Sequence, residues 1–275
     1  MRNDRVKFVD LRQILNIEEI RTFRQALKSV GRVETNAFSD DVFFNIEETY
    51  TTEKAILISC SDNGIKRLYF YAVDIFSLNN LFPSLKQGEY TLEMLTRNPG
   101  EKKDFLTQNG FTLLAQMMRM STRDSSYFLT NSSLLQYTDD NIGLIPNINL
   151  APAINRQLRN IFDARISHLQ SDNELTQSIE RGEIDIHQTQ DNSIDAILQV
   201  VVKPQNFYIN QIFNGAEKRI IHAMLQKRLK NYINQGGKYA YAWVEKDNIA
   251  SVKFHEKYGL KSDGLWNMVY LFHKD

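Results

Sequence analysis

Two side chains near the C-terminus of this 275-residue sequence could exchange protons during a reaction. His255 lies in the segment VKFHEKYG, and an imidazole, with an ordinary pKa of about 6.5, can act as a general acid. Glu245 lies in AWVEKDN, where its carboxylate could act as a base, and Tyr208 is a weaker candidate for the same role. No histidine has metal-ligand spacing with a partner, so the residue types indicate acid–base chemistry and no metal site.

The elements that must position these residues follow from the pattern around them. Tyr239–Val244 alternates small and aromatic residues as a strand does, Asn248 is placed to cap a short helix, and Gly259 is placed to end it. Apolar residues spaced three and four apart predict a long helix from Ile220 to Ile233. Further strands are predicted at Ile184–His187, Ile194–Val202, Phe207–Phe213 and Trp266–Phe272, and further helices from Pro152 to Leu169 and from Ser171 to Gly182.

This combination resembles the C-terminal signature of the GNAT family of N-acetyltransferases. In that signature a strand leads to Asn-x-x-Ala/Ser, then to an aromatic pair, and then to Glu-Lys-x-Gly-Phe. The matching residues here are Asn248, Ser251, Phe254, His255, Glu256, Lys257, Gly259 and Leu260. The resemblance covers residues 140–275.

The resemblance implies that two neighbouring parallel strands diverge and leave a slot for the pantetheine arm of acetyl-CoA. The diverging pair would be Phe207–Phe213 and Tyr239–Val244, and the helix Ile220–Ile233 would receive the pyrophosphate at its positively polarised N-terminus. By the same resemblance, His255 would protonate the leaving thiolate, and Glu245 would take a proton from an amine acceptor. The residues assigned to the cofactor are Phe213, Lys218, Arg219, Ile220, Ile221, Asn248 and Ser251.

The phosphate loop departs from the family pattern Gln/Arg-x-x-Gly-x-Gly/Ala. The chain has NGAEKRIIHAML, in which the glycine positions hold Arg219 and Ile221, or Ile221 and Ala223 in the register that begins at Lys218. Glycines suit such a loop because the backbone must approach the phosphates closely, and Gly215 comes too early to serve. The loop is therefore degenerate.

Two functional hypotheses remain open. The first is an acetyl-CoA-dependent N-acyltransferase that acts on a primary amine of a small molecule or peptide, as the Asn248–Leu260 motif implies. The second is a non-catalytic binding or scaffolding protein of the same fold, which the missing glycines favour. An aminoacyl-tRNA-dependent transferase is disfavoured by the neutral charge and modest length.

The first half of the chain repeats the order of elements in the second, with Asn98 and Asn248 as predicted helix caps and Phe105 and Phe254 in like positions. We therefore predict an α/β (α+β) protein of two tandem GNAT-like modules, each a mixed, mostly antiparallel sheet flanked by helices. The modules are predicted at residues 1–125 and 143–275, with a polar linker at 126–142. The elements predicted in the first half are strands at Val6–Leu11, Ala55–Ser59, Arg67–Val73, Thr91–Arg97 and Phe111–Met120, an Asn63-Gly64 hairpin turn, and helices at Asn16–Gly31, Ile75–Leu85 and Pro99–Gln108.

Composition excludes several classes of protein. Lys+Arg and Asp+Glu are both 33, and a balanced charge argues against a general nucleic-acid binder. No apolar run approaches the roughly 20 residues that span a bilayer, and the N-terminal residues lack the apolar core of a signal peptide. The single cysteine, Cys60, cannot form an internal disulfide. We expect a cytoplasmic protein with no membrane partner; its oligomeric state has no signal in the sequence.

Overall fold

The computed structural model describes residues 15–123 and 143–275. The strand predicted at Val6–Leu11 and the linker predicted at 126–142 lie outside the described residues. The contacts of the chain define two compact units, Met1–Ala115 with Asn267–Asp275, and Gln116–Trp266. These units do not coincide with the predicted modules because the last strand contributes to the first unit; the module boundaries at 1–125 and 143–275 stay a prediction.

The helices and strands are as follows. The helices are α1 (Ile17–Val30), α2 (Lys103–Gln108), α3 (Ala151–Ile161), α4 (Asp172–Glu180), α5 (Lys218–Asn234) and α6 (Ile249–Glu256). The strands are β1 (Glu34–Thr35), β2 (Ile46–Thr51), β3 (Ala55–Asp62), β4 (Ile65–Ala72), β5 (Gly88–Thr96), β6 (Phe111–Thr122), β7 (Ile184–Gln188), β8 (Ile194–Lys203), β9 (Asn206–Asn214), β10 (Ala240–Glu245) and β11 (Lys261–Lys274).

Each unit is built on a mixed sheet, which confirms the predicted fold class. The strand order is β2-β3-β4-β5-β11-β6 in the first unit, with β1 on β4, and β11-β6-β10-β9-β8-β7 in the second. Strands β6 and β11 are divided between the units at positions 115/116 and 266/267. In the first unit β4 pairs β5 in parallel, and in the second unit β9 pairs β10 in parallel, so the repeat predicted from the sequence is visible in the ladders.

Local sequence explains where several of these elements begin and end. Asn16 and Glu19 form a capping box at the start of α1, and Gly31 ends that helix, as predicted. Asn63 and Gly64 both adopt positive φ angles, 50° and 89°, in the tight turn between β3 and β4. The capping box predicted for Ser171 and Glu174 is also present, at the start of α4.

Three predicted helices are wrong in extent. Ile75–Leu85 forms two short 3-10 turns, Ile75–Leu78 and Phe82–Ser84, because Asp74 caps only the first and Pro83 has no N–H to continue a helix. Asn98 does not cap α2, since it exchanges hydrogen bonds with the Thr96 hydroxyl in a turn, and the helix begins at Lys103.

The third helix, α3, does not continue to Leu169. It ends at Ile161, and Phe162 is extended, with φ −101° and ψ 134°. The carboxylate of Asp163 accepts the Arg165 N–H at 2.9 Å, and such a side-chain bond to the backbone favours a turn over another turn of helix.

The sheet of the second unit is packed on both faces. On one face α5 covers Ala240, Ala242 and Val244 of β10 together with the inward residues of β8 and β9. On the other face α3 and α4 cover Ile184, Ile186 and Ile197. Fully burying each such aliphatic side chain stabilises the fold by roughly 1.5–3 kcal/mol, so β9 and β10 are firmly held on the α5 face. No helix among the described residues is long and apolar enough to span a membrane.

Candidate functional site

The parallel strands β9 and β10 separate partway along their length. They pair through three positions, Phe207 with Ala240, Tyr208 with Tyr241, and Ile209 with Ala242, and the ladder stops there. Beyond it, Gln211–Asn214 stays paired with β8, and Trp243–Glu245 stays paired with β6. The two strands therefore remain in the sheet through their outer neighbours while their facing edges part, as the resemblance to GNAT enzymes implies.

A β-bulge lies at the point of divergence. In the β8–β9 ladder Gln199 faces Gln211 and Val200 faces Ile209, so Asn210 is the extra residue. A bulge bends its strand and interrupts pairing, which accounts for the end of the β9–β10 ladder directly before Asn210. The backbone groups on the facing edges beyond this residue are left to an added extended chain or to water.

Three residues separate the end of β9 from the start of helix α5, whose N-terminus has no side-chain cap. Lys218 and Arg219 are exposed in its first turn, and Arg219 forms an ion pair with Glu217, the residue directly before the helix. Ile220 and Ile221 are buried in the core beneath the helix, with Ile221 only 3% exposed. Neither isoleucine side chain projects into the loop, so any contribution of theirs to an anion site is through backbone N–H groups.

Gly215 is the glycine that the loop geometry requires. A Cβ at this position would lie 3.0 Å from the ring of Phe213 and 3.3 Å from the carbonyl oxygen of Asp195. Its N–H donates to that carbonyl at 2.7 Å. Close backbone approach is thus needed here for packing against β8, and half-buried Phe213 packs against the core cluster under α3 and α4.

Three motif residues are linked by hydrogen bonds on α6. The side-chain oxygen of Asn248 accepts the Ser251 N–H at 3.0 Å, which confirms Asn248 as the helix cap. The carbonyl oxygen of Ser251 in turn lies 2.8 Å from Nδ1 of His255. A carbonyl only accepts, so Nδ1 carries the proton and Nε2 of a neutral His255 carries a lone pair.

His255 is buried, with 4% of its surface exposed, and its Nε2 has no hydrogen-bond partner among the described residues. Burial lowers the pKa of His255, and the hydrogen bond to Ser251 only partly opposes this. The imidazole is therefore neutral near pH 7. A resting imidazolium acid, the state that the sequence resemblance implies, is disfavoured here, and the available Nε2 is a proton acceptor.

A second buried histidine joins the two helices beside the slot. Nδ1 of His222 on α5 lies 2.7 Å from the Tyr258 hydroxyl, and its ring stacks on Phe254 at 4.7 Å. Burial lowers the pKa of His222, to which the nearby Lys257 also contributes. These contacts hold α5 against α6. The sequence around His222 does not predict them. Among the described residues no group of three or more His, Cys, Asp or Glu side chains is placed to hold a metal ion.

The face of β10 opposite α5 carries two aromatic residues that the sequence analysis did not assign to the site, Tyr241 and Trp243, beside the predicted base Glu245. Strand alternation puts Tyr241, Trp243 and Glu245 on this face, because Ala240, Ala242 and Val244 lie in the core under α5. Tyr208, considered only as a weak base, stacks on Tyr241 with ring centroids 4.8 Å apart. Glu245 is exposed at the strand end.

An ion pair lies on the strands next to this aromatic face. Arg119 on β6 binds the carboxylate of Asp263 at 2.7 Å, and the Ser121 hydroxyl binds the same carboxylate at 3.0 Å. Burial would raise the pKa of Asp263, but the Leu265 N–H and Arg119 outweigh it and lower the pKa. The local sequence does not predict this pair, because Arg119 and Asp263 are 144 positions apart.

The first unit contains a divergence of the same kind. Strands β4 and β5 also pair through three positions, the last being Leu68 with Leu92. Here the side chain of Asn36 bridges the parting strands: it accepts the Phe70 N–H at 2.9 Å and donates to the carbonyl oxygens of Leu68 and Glu93 at 2.9 and 3.0 Å. Asn36 is only 8% exposed.

The strand before Asn36 continues this closure. β1 pairs antiparallel with Tyr71 and Ala72 of β4, and the Thr35 hydroxyl donates to the Phe70 carbonyl at 2.6 Å. The backbone groups exposed by the divergence are thus bonded to the chain itself. Two 3-10 turns follow β4 where a long helix follows β9, so the first unit also lacks the helix N-terminus that α5 provides.

Solved structures share this architecture. No protein-family model and no curated protein matches the chain. A tandem GNAT protein from the clavulanic acid biosynthesis pathway superposes with a TM-score of 0.58 at 9% identity, over 94% of this chain and 97% of that one. A GCN5-related N-acetyltransferase from Sphaerobacter thermophilus superposes at 0.53 with 11% identity over 80% of each chain.

A third similar structure is a GNAT-family acetyltransferase from Colwellia psychrerythraea, with a TM-score of 0.51 and 13% identity over 97% of this chain and all of that one. At such identities the similarity concerns the fold. The chain has the tandem GNAT fold, as the sequence motif implies.

Proposed function

We propose that the second unit binds acetyl-CoA and transfers its acetyl group to a primary amine of a small molecule or peptide. The observation that carries this proposal is the end of the β9–β10 ladder at Ile209 and Ala242, followed at once along the chain by the uncapped N-terminus of α5. An open strand edge suits the amide groups of a pantetheine arm, and a helix N-terminus suits a pyrophosphate. Lys218 adds a positive charge at that helix start.

The donor supplies an activated acyl carbon: attack by the amine nitrogen forms the C–N bond and breaks the C–S bond. The chain must therefore move one proton from the nitrogen to the departing sulfur or to water. We assign this transfer to Nε2 of His255, which is neutral, buried and without a partner among the described residues. His255 first accepts a proton from the nitrogen and then, as an imidazolium, donates a proton to the thiolate, which is the acid role that the sequence resemblance implies.

The acceptor amine must lose its first proton before it attacks, since a protonated amine has no lone pair. Glu245 stands at the end of β10 on the face that also bears Tyr241 and Trp243. We assign Glu245 to the removal of that proton and the aromatic face to acceptor binding. A cytoplasmic location belongs to the same proposal, in keeping with a single buried thiol, Cys60.

The non-catalytic alternative is supported by one specific observation. Glu217 places a carboxylate directly before α5 and engages Arg219, one of the two cations in the first turn of the helix. A carboxylate there opposes an incoming anion. A module that keeps the fold but binds no acetyl-CoA would show this loop.

Release of free thiol from acetyl-CoA in the presence of an amine panel tests the proposal. We expect amine-dependent release by the full chain, and a His255→Gln variant that binds acetyl-CoA with unchanged affinity but turns over at least about tenfold more slowly. His273→Gln, at an exposed position, is the matched control. Acetyl-CoA binding with no release for any amine would support the non-catalytic alternative.

A further inference from the structure

A cavity remains in the first unit next to the closed divergence. Its volume is about 460 Å³, within the range of small-molecule sites. It lies between β1 and the far ends of β4 and β5, and Met94, Met268 and Tyr270 form part of its lining. All of its lining residues belong to the first unit.

The closed divergence excludes a pantetheine arm from this cavity. An extended arm binds through strand-edge groups, and Asn36 already uses the Phe70 N–H and the carbonyl oxygens of Leu68 and Glu93. β1 occupies the next positions of the same edge, at Tyr71 and Ala72. A ligand of this cavity must therefore be compact and bind through side chains.

The lining combines an apolar side with a cationic rim. Met94, Met268 and Tyr270 are buried, and Phe38 on the rim is 67% exposed, so its ring is open to contact with a bound molecule. Arg32 is also on the rim, exposed, and its guanidinium has no ion-pair partner in residues 15–123 and 143–275.

The remaining charges of the lining give a net positive site. Three cationic residues, Arg32, Arg97 and Lys102, face two carboxylates, Glu34 and Glu101. Lys102 is paired with Glu34, so this pair is internally neutral. An incoming anion is thus met chiefly on the arginine side of the rim.

One hydrogen-bond donor completes the site. The Tyr270 hydroxyl makes no hydrogen bond in the described part of the chain. Burial raises the pKa of Tyr270, so the phenol stays protonated at neutral pH and can donate.

We propose that this cavity binds a small amphipathic organic anion, with its apolar body against Met94, Met268 and Phe38 and its anionic group at Arg32. The site is separate from the slot of the second unit and does not depend on the function proposed for it. Either a metabolite carboxylate or a sulfonate would satisfy the same chemistry.

A matched pair of fluorescent probes tests this on the full chain. 8-Anilinonaphthalene-1-sulfonate carries one sulfonate on an apolar body, and N-phenyl-1-naphthylamine is the same body without the charge. We expect one binding site per chain for the sulfonate probe. The sulfonate probe should bind at least about tenfold more tightly than the uncharged probe, because the uncharged probe cannot form an ion pair with Arg32. Excess acetyl-CoA should not displace the sulfonate probe.

Two variants locate the probe. Arg32→Glu should remove the preference for the sulfonate, whereas Arg156→Glu, at an exposed arginine of α3 in the second unit, should retain it. Leu95→Trp, at a partly exposed lining residue, should fill the cavity and weaken both probes. Equal affinity for the two probes, displacement by acetyl-CoA, or identical behaviour of Arg32→Glu and Arg156→Glu would overturn the proposal.

Discussion

Ile209 and Ala242 are the last paired residues of the parallel strands β9 and β10. Their counterparts in the first unit are Leu68 and Leu92, which also end a ladder of three pairs. The units differ in what lies beyond the last pair: the second unit has the bulged Asn210, and in the first the side chain of Asn36 bonds to both strands. One fold therefore presents an open strand edge in one copy and a closed edge in the other.

Replacing Glu217 should strengthen acetyl-CoA binding. Glu217→Gln removes a carboxylate from the start of α5 and releases Arg219 from its ion pair. We expect the dissociation constant to fall several-fold, whereas Lys218→Glu should raise it about tenfold, a difference of about 1.4 kcal/mol. Titration calorimetry measures both. Glu180→Gln, at an exposed carboxylate ending α4, is the control, and the assignment of the α5 N-terminus fails if all three bind alike.

His255 should make the protein less stable in mild acid. Its pKa is lowered in the folded state, so the unfolded chain takes up the proton first as the pH falls below about 6.5. Stability is then complete above that pH and declines below it, until the folded-state pKa is reached. Urea unfolding between about pH 7 and pH 5 should show a smaller decline for His255→Gln than for the unchanged chain. An identical decline would show that His255 is not buried as a neutral group.

The exposed histidine His273 gives the control for this experiment. His273→Gln should keep the acid dependence of the unchanged chain, because the side chain is 66% exposed. His222 is buried like His255 and its pKa is lowered as well, so part of the decline should persist in His255→Gln.

Asn248 should act as a helix cap that can be exchanged for another. Asn248→Ala removes the acceptor of the Ser251 N–H and should lower the free energy of unfolding by roughly 0.5–2 kcal/mol. Asn248→Ser keeps an acceptor and should recover most of that loss. Because the Ser251 carbonyl in turn binds His255, Asn248→Ala should also slow turnover. An unchanged free energy of unfolding in Asn248→Ala would contradict the role of Asn248 as a stabilising cap.

Asn36 should matter for stability and not for acetyl-CoA. Asn36→Ala leaves the Phe70 N–H and two carbonyl oxygens without their partner, at a cost of about 1–3 kcal/mol for a buried group left unsatisfied. Thermal unfolding measures the loss. The affinity for acetyl-CoA should stay unchanged, and a weakened affinity would mean that the first unit contributes to the acetyl-CoA site.

Local patterns in the sequence were enough to predict most of the elements. Asn16 with Glu19, Ser171 with Glu174, and the Asn63-Gly64 turn each act within a few residues, and the structure has all three as predicted. The order strand, capped helix, glycine, strand also placed Asn248 correctly. The fold class followed from these repeats and from the motif.

Interactions across the sequence could not be read in the same way. Asn36 meets Glu93 across 57 positions, and nothing in the local sequence TNAF indicates a residue that bridges two strands. The failure of α3 to reach Leu169 reflects a single competing side-chain bond from Asp163. His255 is neutral because it is buried, and its burial depends on how α6 packs, which cannot be predicted from the spacing of residues in the sequence.

The number of acetyl-CoA molecules bound by the chain tests the central claim most directly. Calorimetric titration of the full chain with acetyl-CoA should give one site, because within residues 15–123 and 143–275 only the second unit has an open strand edge beside a helix N-terminus. Saturating ligand at roughly 100-fold above its Kd should also raise the free energy of unfolding by about 2.7 kcal/mol. Absence of binding, or two equivalent sites per chain, would contradict the account.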